Sequence, residues 1–382
     1  MAPPALSRSQ LSYTLTGLLS APPHRQDDRA LLAFRPLSLA TGIAPQAAGS
    51  ARCELGGTSV VVVVSTEVMQ DQEAESPARI SCNLDCSPAM QPGPTLTALL
   101  THLSTLMSSL LAAPDEPSSE QLVILRSPYT GRPTRAWRLH VDATLQSHAG
   151  GNVADVLVAT LYAALWDLRL PRTTVVGVVE DVDSVRDKMG VHGLSLGQTG
   201  AGGSIDAMTG IKGPLSRHKV QVQGQGLSQG QGQGQQSKDK AHGRVDKAGV
   251  DFEVQDVWDG GEPWAGRSEF PVGVTVNVLP RSTLLDATLA EEACLPPSRR
   301  ILVLSSPTGK VRAVQTVPNT IDVAASVGGE ASVNEEESMT GTLPYARLKE
   351  AIKAGTEHAK ALHAVLRSQL TDSSDGDDEM QD

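Results

Sequence analysis

The chain has 382 residues, with 43 acids against 32 Lys and Arg, a net charge of −11 and a pI of about 5.3. Such a length suits about two domains and a core that needs no disulfide staples. The acidity argues against a free-standing, sequence-blind nucleic-acid binder, which is usually basic, but leaves room for a local basic patch.

Aromatic residues make up only 3% of the chain, so aliphatic side chains must build the core. Residues 7–20 read as a short amphipathic helix without the continuous apolar stretch of a signal peptide. Strands are expected over 35–41, 51–56, 58–66 and 79–87. The third holds "VVVVV" at 60–64, a β-branched run that suits a strand buried on both faces or against a partner. "GPTLTALLTHLSTLMSSLLAA" (93–113) places Leu96, Leu99, Leu100, Leu103, Met107, Leu110 and Leu111 at helical spacing. "PDEPSSE" breaks that helix, and strands follow at 121–126 and 135–145. A second helix, 152–167, buries Val153, Val156, Leu157, Leu161, Ala164 and Leu165, and 173–180 reads as strand. No run of 18 apolar residues occurs, so no transmembrane helix is expected.

From about 184 to 262 the chain turns to Gly, Gln and Ser, centred on "VQVQGQGLSQGQGQGQQSKDKAHG". That composition cannot offset chain entropy by burial, so a disordered insertion is expected. Order resumes with a strand at 270–279 and a hairpin over 299–317 that turns at Thr308 and Gly309. After a polar loop, 343–370 forms a long amphipathic helix, and the acidic end 371–382 reads as disordered. Strands and helices in this order define an α/β or α+β protein in two halves. Cys53, Cys82, Cys86 and Cys294 lack zinc-ligand spacing and read as reduced, partly buried thiols in an intracellular protein; no metal or cofactor is expected.

Three groups of residues could carry chemistry. "HAGGNVAD" (148–155) is a Gly-rich turn opening a helix, where free backbone N–H groups and the helix dipole favour an anion. "RSPYTGRPTRAWR" sets Arg126, Arg132, Arg135 and Arg138 together with no acid among them. RNA phosphates suit such arginines; a solvated strand end with scattered ion pairs is the alternative. "LLDATLAEEA" offers Asp286, Glu291 and Glu292. These could bind Mg²⁺ or act as general acid, but a helix start capped by Asp286, with the glutamates in or near its first turn, is the favoured reading.

Several blocks in order resemble the RNase PH family. "FRPLSLATGIAPQAAGSARCELGGTSVVVVVSTEV" is similar to its opening strands, "WRLHVDATLQSHAGGNVADVLVATLYAALWDLRLP" to its middle strand, Gly-Gly turn and helix, and "FPVGVTVNVLPRSTLLDATLAEEACLPPSRRILVLSSPTGKV" to its second half. Within the family, "LLDATLAEEAC", "GTEHAKALHAVLRSQL" and a degenerate "RQDDR", with Asp28 in the place of the family's usual Gly, point to a ring subunit of the eukaryotic RNA exosome. The resemblance implies an RNase PH fold of two halves, each of the ribosomal protein S5 domain 2-like kind. An N-terminal helical extension (1–24) would precede domain 1 (25–183). The insertion (184–262), domain 2 with the C-terminal helix (263–370) and the tail (371–382) would follow. It also implies a hetero-hexameric ring with other RNase PH-like subunits beneath S1/KH cap proteins. Such a protein would meet RNA in a central channel, in the nucleus, nucleolus and cytoplasm.

Active members of the family phosphorolyse RNA from its 3′ end. In them the Gly-Gly is followed by Thr or Ser and then Arg; here Asn152 and Val153 stand there. Loss of one such charge-assisted donor costs on the order of 10²–10³ in rate. With Asn152 as N-cap, Asp155 falls at the third helical position, where its carboxylate is expected to satisfy the dipole and a free N–H and to repel phosphate. Asp286 matches a family acid, and Glu292 replaces the second Asp with a longer arm. The site residues Asn152, Val153, Asp155, Asp286 and Glu292 thus read as degenerate, and Arg126, Arg132 and Arg135 as RNA contacts of a non-catalytic subunit. An active phosphate-dependent 3′–5′ exoribonuclease is the alternative.

Overall fold

A computed structural model describes residues 6–70, 73–74, 76, 79–112, 116–127, 131–177, 250–255, 260–320 and 343–375. The chain divides into one unit of Met1–Thr174 with Phe252–Asp382 and another of Val175–Asp251. Helix α1 (Arg8–Leu19) leads into β1 (Leu37–Thr41), β2 (Gly49–Leu55), β3 (Thr58–Gln70) and β4 (Ile80–Cys86). Then come α2 (Pro94–Leu111), α3 (Glu116–Gln121), β5 (Val123–Arg126), β6 (Pro133–His148) and α4 (Val153–Asp167). The short β7 (Arg169–Leu170), β8 (Thr173–Gly177), β9 (Val250–Val254) and β10 (Glu262–Pro263) connect to β11 (Val272–Val278) and β12 (Thr283–Leu285). Helix α5 (Leu289–Cys294), the β13 (Arg300–Ser305) and β14 (Val311–Thr316) hairpin, and α6 (Tyr345–Asp375) complete it.

Two sheets carry the fold. The first runs β1-β2-β3-β6-β4, with β5 beside β6; the second runs β12-β11-β13-β14. In the first, only β4 lies parallel to its neighbour β6. Helix α4 is apolar all round, and every residue from Val153 to Leu165 is buried, as a helix enclosed on all sides requires. One continuous core joins it to Val60, Val62 and Val64 of the first sheet, to Val272 and Leu302 of the second, and to Leu366 of α6. Ala351 and Ala359 of α6 pack with Val274, Val276 and Val303 on the second sheet.

The valine run splits by the period of a strand. Val60, Val62 and Val64 are buried, while Val61 and Val63 are half-buried on the other face. There Val61 lies between Arg52 and Thr144, and Val63 between Ser50 and Asp142. The run is therefore not buried on both faces: polar neighbours hold the outer one.

Three elements depart from the sequence reading. Helix α3 occupies part of the expected break. Strand β9 lies inside the segment 184–262 expected to be disordered, because Val250, Phe252 and Val254 alternate with acids at strand period; residues 184–249 and the polar loop lie outside the described residues. Helix α6 continues to Asp375 rather than ending at 370. Gly309, with φ +82°, makes the expected hairpin turn. Among the described residues no helix is long and apolar enough to cross a membrane.

Candidate functional site

Strand β6 delivers the Gly-Gly turn to the place where the two sheets' loops meet. A Cβ on Gly150 would lie 2.2 Å from the Gly56 carbonyl oxygen, and one on Gly151, at φ +74°, 2.6 Å from the Leu289 nitrogen. Only glycine lets the backbone approach this closely. Asn152 follows in the left-handed region at φ 54°, which Asn tolerates better than most residues.

The turn is closed by an anion, but not by Asp155. The Asn152 backbone N–H donates to Glu292 Oε1 at 2.8 Å. Asp155 stands at the third helical position, yet its Oδ1 accepts from the backbone N–H and hydroxyl of Thr275 at 2.7 and 2.6 Å. The expected cap of its own helix is thus corrected to a link with β11. The reason lies in the sheet: β12 pairs only with Val276, Asn277 and Val278. The Thr275 N–H beyond that end is buried and needs another acceptor. Burial pushes the Asp155 carboxyl up to about 7, and the Asp286 charge adds to this, against the bonds from Thr275 and Asn152.

Asp286 does not cap α5. That role falls to Thr288, which forms a capping box with Glu291. Asp286 instead sits at φ 45° with no exposure, inside a shell of donors. The Arg35 backbone N–H and Nε reach Oδ2 at 2.7 and 2.9 Å, and its Nη2 reaches Oδ1 at 2.5 Å. Arg29 Nη1 adds 2.8 Å to Oδ2, and the Asn152 side-chain amide donates to both Asp286 Oδ1 (3.1 Å) and Asp155 Oδ2 (3.0 Å). Burial would raise the Asp286 carboxyl, but the hydrogen bonds and charge of Arg35 hold it below the usual carboxylate range.

Glu292 is equally committed. Arg300 Nη2 donates to Oε1 at 2.5 Å and the Thr320 hydroxyl to Oε2 at 2.6 Å. Glu291 takes a bidentate pair from the buried Arg25, at 2.9 and 2.7 Å, whose other donors hold the Leu285 and Asp286 carbonyls. Val153, at the position where the family resemblance implies Arg for an active member, is buried apolar filling at 1% exposure. Asp28 holds φ 56°, the conformation that a glycine at that point of "RQDDR" would adopt freely. No three His, Cys, Asp or Glu side chains among the described residues come together as a metal site.

The predicted acids and turn therefore converge, but they do so around Arg25, Arg29, Arg35, Arg300 and Thr275, which residue pattern alone did not assign. For Arg25, Arg29 and Arg35 the signal was the run of arginines in "HRQDDRALLAFR"; Arg300 and Thr275 carried none. The predicted RNA-contact arginines are not brought to this site. From Arg135 to His148, β6 runs for roughly 40 Å at about 3.3 Å per residue, so they occupy its far end. Arg126 there bonds Glu120 at 2.5 Å and the Gly131 carbonyl at 3.0 Å. Arg132 is exposed, Arg135 half-buried, and Arg138 lies 4.0 Å from Glu73.

The molecule thus sets acids from its second half against a Gly-Gly helix turn from its first. Residues 33–171 match the model of the RNase PH 3′ exoribonuclease family, domain 1. It is similar to the exosome complex component Rrp42 of Methanothermobacter thermautotrophicus, 29% identical over 172 residues, 43% of this chain and 59% of the relative. The Schizosaccharomyces pombe exosome complex component rrp42 is 27% identical over 179 residues, 46% of this chain and 56% of the relative. The Pyrococcus abyssi Rrp42 is 26% identical over 167 residues, covering 42% and 58%. The matched stretch thus spans less than two thirds of each relative. By structure, the chain shares its fold with an Archaeoglobus fulgidus exosome with RNA bound to the active site (TM-score 0.53, 16% identity, 93% of this chain and 97% of that one). An archaeal exosome core matches equally (TM-score 0.53, 14% identity, 94% and 96%).

Proposed function

We propose that the chain is a non-catalytic subunit of the RNase PH-like ring of an RNA exosome, supporting 3′–5′ RNA processing and degradation. The exosome components it resembles support this reading. The observation that carries the absence of catalysis is the state of Asp286. A general acid for the leaving oxygen must hold a proton near neutral pH, whereas this carboxylate accepts from two arginines and Asn152 and is held below its ordinary range. Glu292 fills the N–H that opens the turn, and Val153 supplies no charge for phosphate. Its partners on this reading are other RNase PH-like subunits, S1/KH cap proteins and RNA passing Arg126, Arg132 and Arg135, in nucleus, nucleolus and cytoplasm.

Incubation of the purified chain with RNA, inorganic phosphate and Mg²⁺ tests the catalytic part. No phosphate-dependent shortening is expected. Release of nucleoside diphosphate that Asp286→Asn abolishes would establish the phosphorolytic alternative. Affinity purification tests the assembly: an otherwise complete ring with cap proteins is expected, and a partner-free monomer would overturn it.

A further inference from the structure

Many described arginines of this acidic chain stand beside a carboxylate, as Arg25, Arg29, Arg35, Arg126, Arg172, Arg300 and Arg347 do. Three at the C-terminal end of α4 do not: Arg169, Arg267 and Arg367 have no ion-pair partner among the described residues. Arg267 packs on an aromatic stack, with Arg169 three residues beyond Trp166 and Arg367 one helical turn beyond His363. Arg267 lies 4.6 Å over the Trp166 ring and donates to the Trp166 carbonyl at 3.1 Å. Trp166 is 6.0 Å from Tyr162, whose ring meets His363 edge-on at 4.9 Å. Arg367 follows His363 by one turn of α6, on the same face. Arg169 sits opposite Pro263 in the β7–β10 ladder, just before the turn that carries Arg267.

The arrangement is electrostatically incomplete. Burial, and then the like charge of Arg169, hold Arg267 below the ordinary arginine range. Burial raises the Tyr162 phenol to about 12, against the positive charges of Arg367 and Arg267. Of the nearby acids, Asp167 accepts from the Ser50 N–H, Glu262 pairs with Arg172, and the exposed Glu269 makes no ion pair with Arg267. The buried Tyr162 hydroxyl and His363 Nε2 have no hydrogen-bond partner among the described residues. Like charges held together over an aromatic ring are relieved by an anion. An acidic peptide would offer the charge, but only a nucleic acid offers phosphates together with π-faces for the guanidinium and indole planes.

We propose that Arg169, Arg267 and Arg367, beside the Tyr162–Trp166 pair, form a second anion-binding surface that takes the phosphates of single-stranded RNA. It rests on the RNA-related role proposed above but is separate from both parts of it. The 15 residues of α4 put it roughly 20 Å from the Asp286 site at 1.5 Å per residue. It also shares no residue with the Arg126–Arg135 group.

The test is binding of the full chain to a labelled single-stranded RNA 12-mer, followed by fluorescence anisotropy over a salt series. Arg169 and Arg367 are exposed, so the double variant Arg169→Glu with Arg367→Glu should fold. It is expected to lose roughly tenfold or more in affinity at low salt, and its slope of log K against log salt should flatten by about 1.4, two contacts at about 0.7 each. The charge-matched control Lys349→Glu with Lys353→Glu, elsewhere on α6, should bind as the parent does. An equal loss in that control would overturn the proposal by reducing it to net charge. A poly-glutamate peptide of equal charge that displaces RNA as well as RNA displaces itself would also overturn it, in favour of an acidic protein partner. Loss confined to an Arg126, Arg132 and Arg135 variant would overturn this surface while leaving the proposed function intact.

Discussion

Arg25 is the residue whose removal the structure makes easiest to judge. Its side chain has no solvent exposure, and neither to any useful extent does its partner Glu291. Four hydrogen bonds tie it to Glu291, Leu285 and Asp286, so it fastens the segment after α1 to the acids of the second half. Arg25→Met leaves a buried carboxylate with only the Thr288 N–H at 2.7 Å. Breaking a buried pair from one side costs about 3–5 kcal/mol. At about 2–4 °C per kcal/mol for a larger domain, the melting temperature should fall by roughly 6–20 °C. The double variant Arg25→Met with Glu291→Met removes both charges and should recover most of that loss, because the penalty comes from the stranded charge rather than the lost attraction. Urea titrations of the parent, both single variants and the double give the coupling energy directly. A cost below about 1 kcal/mol for Arg25→Met, or a double variant as unstable as the sum of the singles, would refute the reasoning.

Asp155 should leave a pH signature. Its folded value of about 7 lies above the ordinary 3.8, so the folded chain keeps a proton that the unfolded chain has lost. Its stabilising contribution is complete below about pH 4 and is lost as pH rises through 7, by up to about 4 kcal/mol at 1.36 kcal/mol per unit. Burial lowers His148 and His363, which act in the opposite sense, so the difference between parent and Asp155→Asn in urea unfolding at pH 5 and pH 8 isolates the carboxyl. The parent should lose more stability than the variant on going to pH 8; parallel curves would refute the assignment. Asn152→Ala should cost about 1–2 kcal/mol for the left-handed backbone plus two lost amide bonds, while Asn152→Gly should return the backbone share. Equal melting temperatures for the two would show that φ at 152 carries no strain.

What the sequence disclosed follows from the range of the forces involved. The apolar run of α4, the β-branched run of β3 and the Thr308–Gly309 hairpin are local patterns, and each stands within a few residues of its expected bounds, although the alternate burial of the β3 valines was not foreseen. Helix α3 was hidden because "EPSSEQ" has no apolar periodicity. The site was legible as residue types and not as bonds. Asp155 reads as a cap because helix position is local, whereas its choice of Thr275 depends on where β12 stops pairing, 120 residues away. Asp286 reads as a helix start until its positive φ turns it toward Arg35, 251 residues distant.

Helix α4 belongs to neither sheet's core alone. Val158 abuts Gly273 of the second sheet, while the same helix packs with Val60, Val62 and Val64 of the first. A sheet deprived of it would present a bare apolar face to water, at about 25 cal/mol for each Å² uncovered. The consequence is shared fate: neither half has a lower free energy of opening to fall back on, so the two should exchange their slowest amide protons at one common rate, and damage on either side of the helix is felt by both.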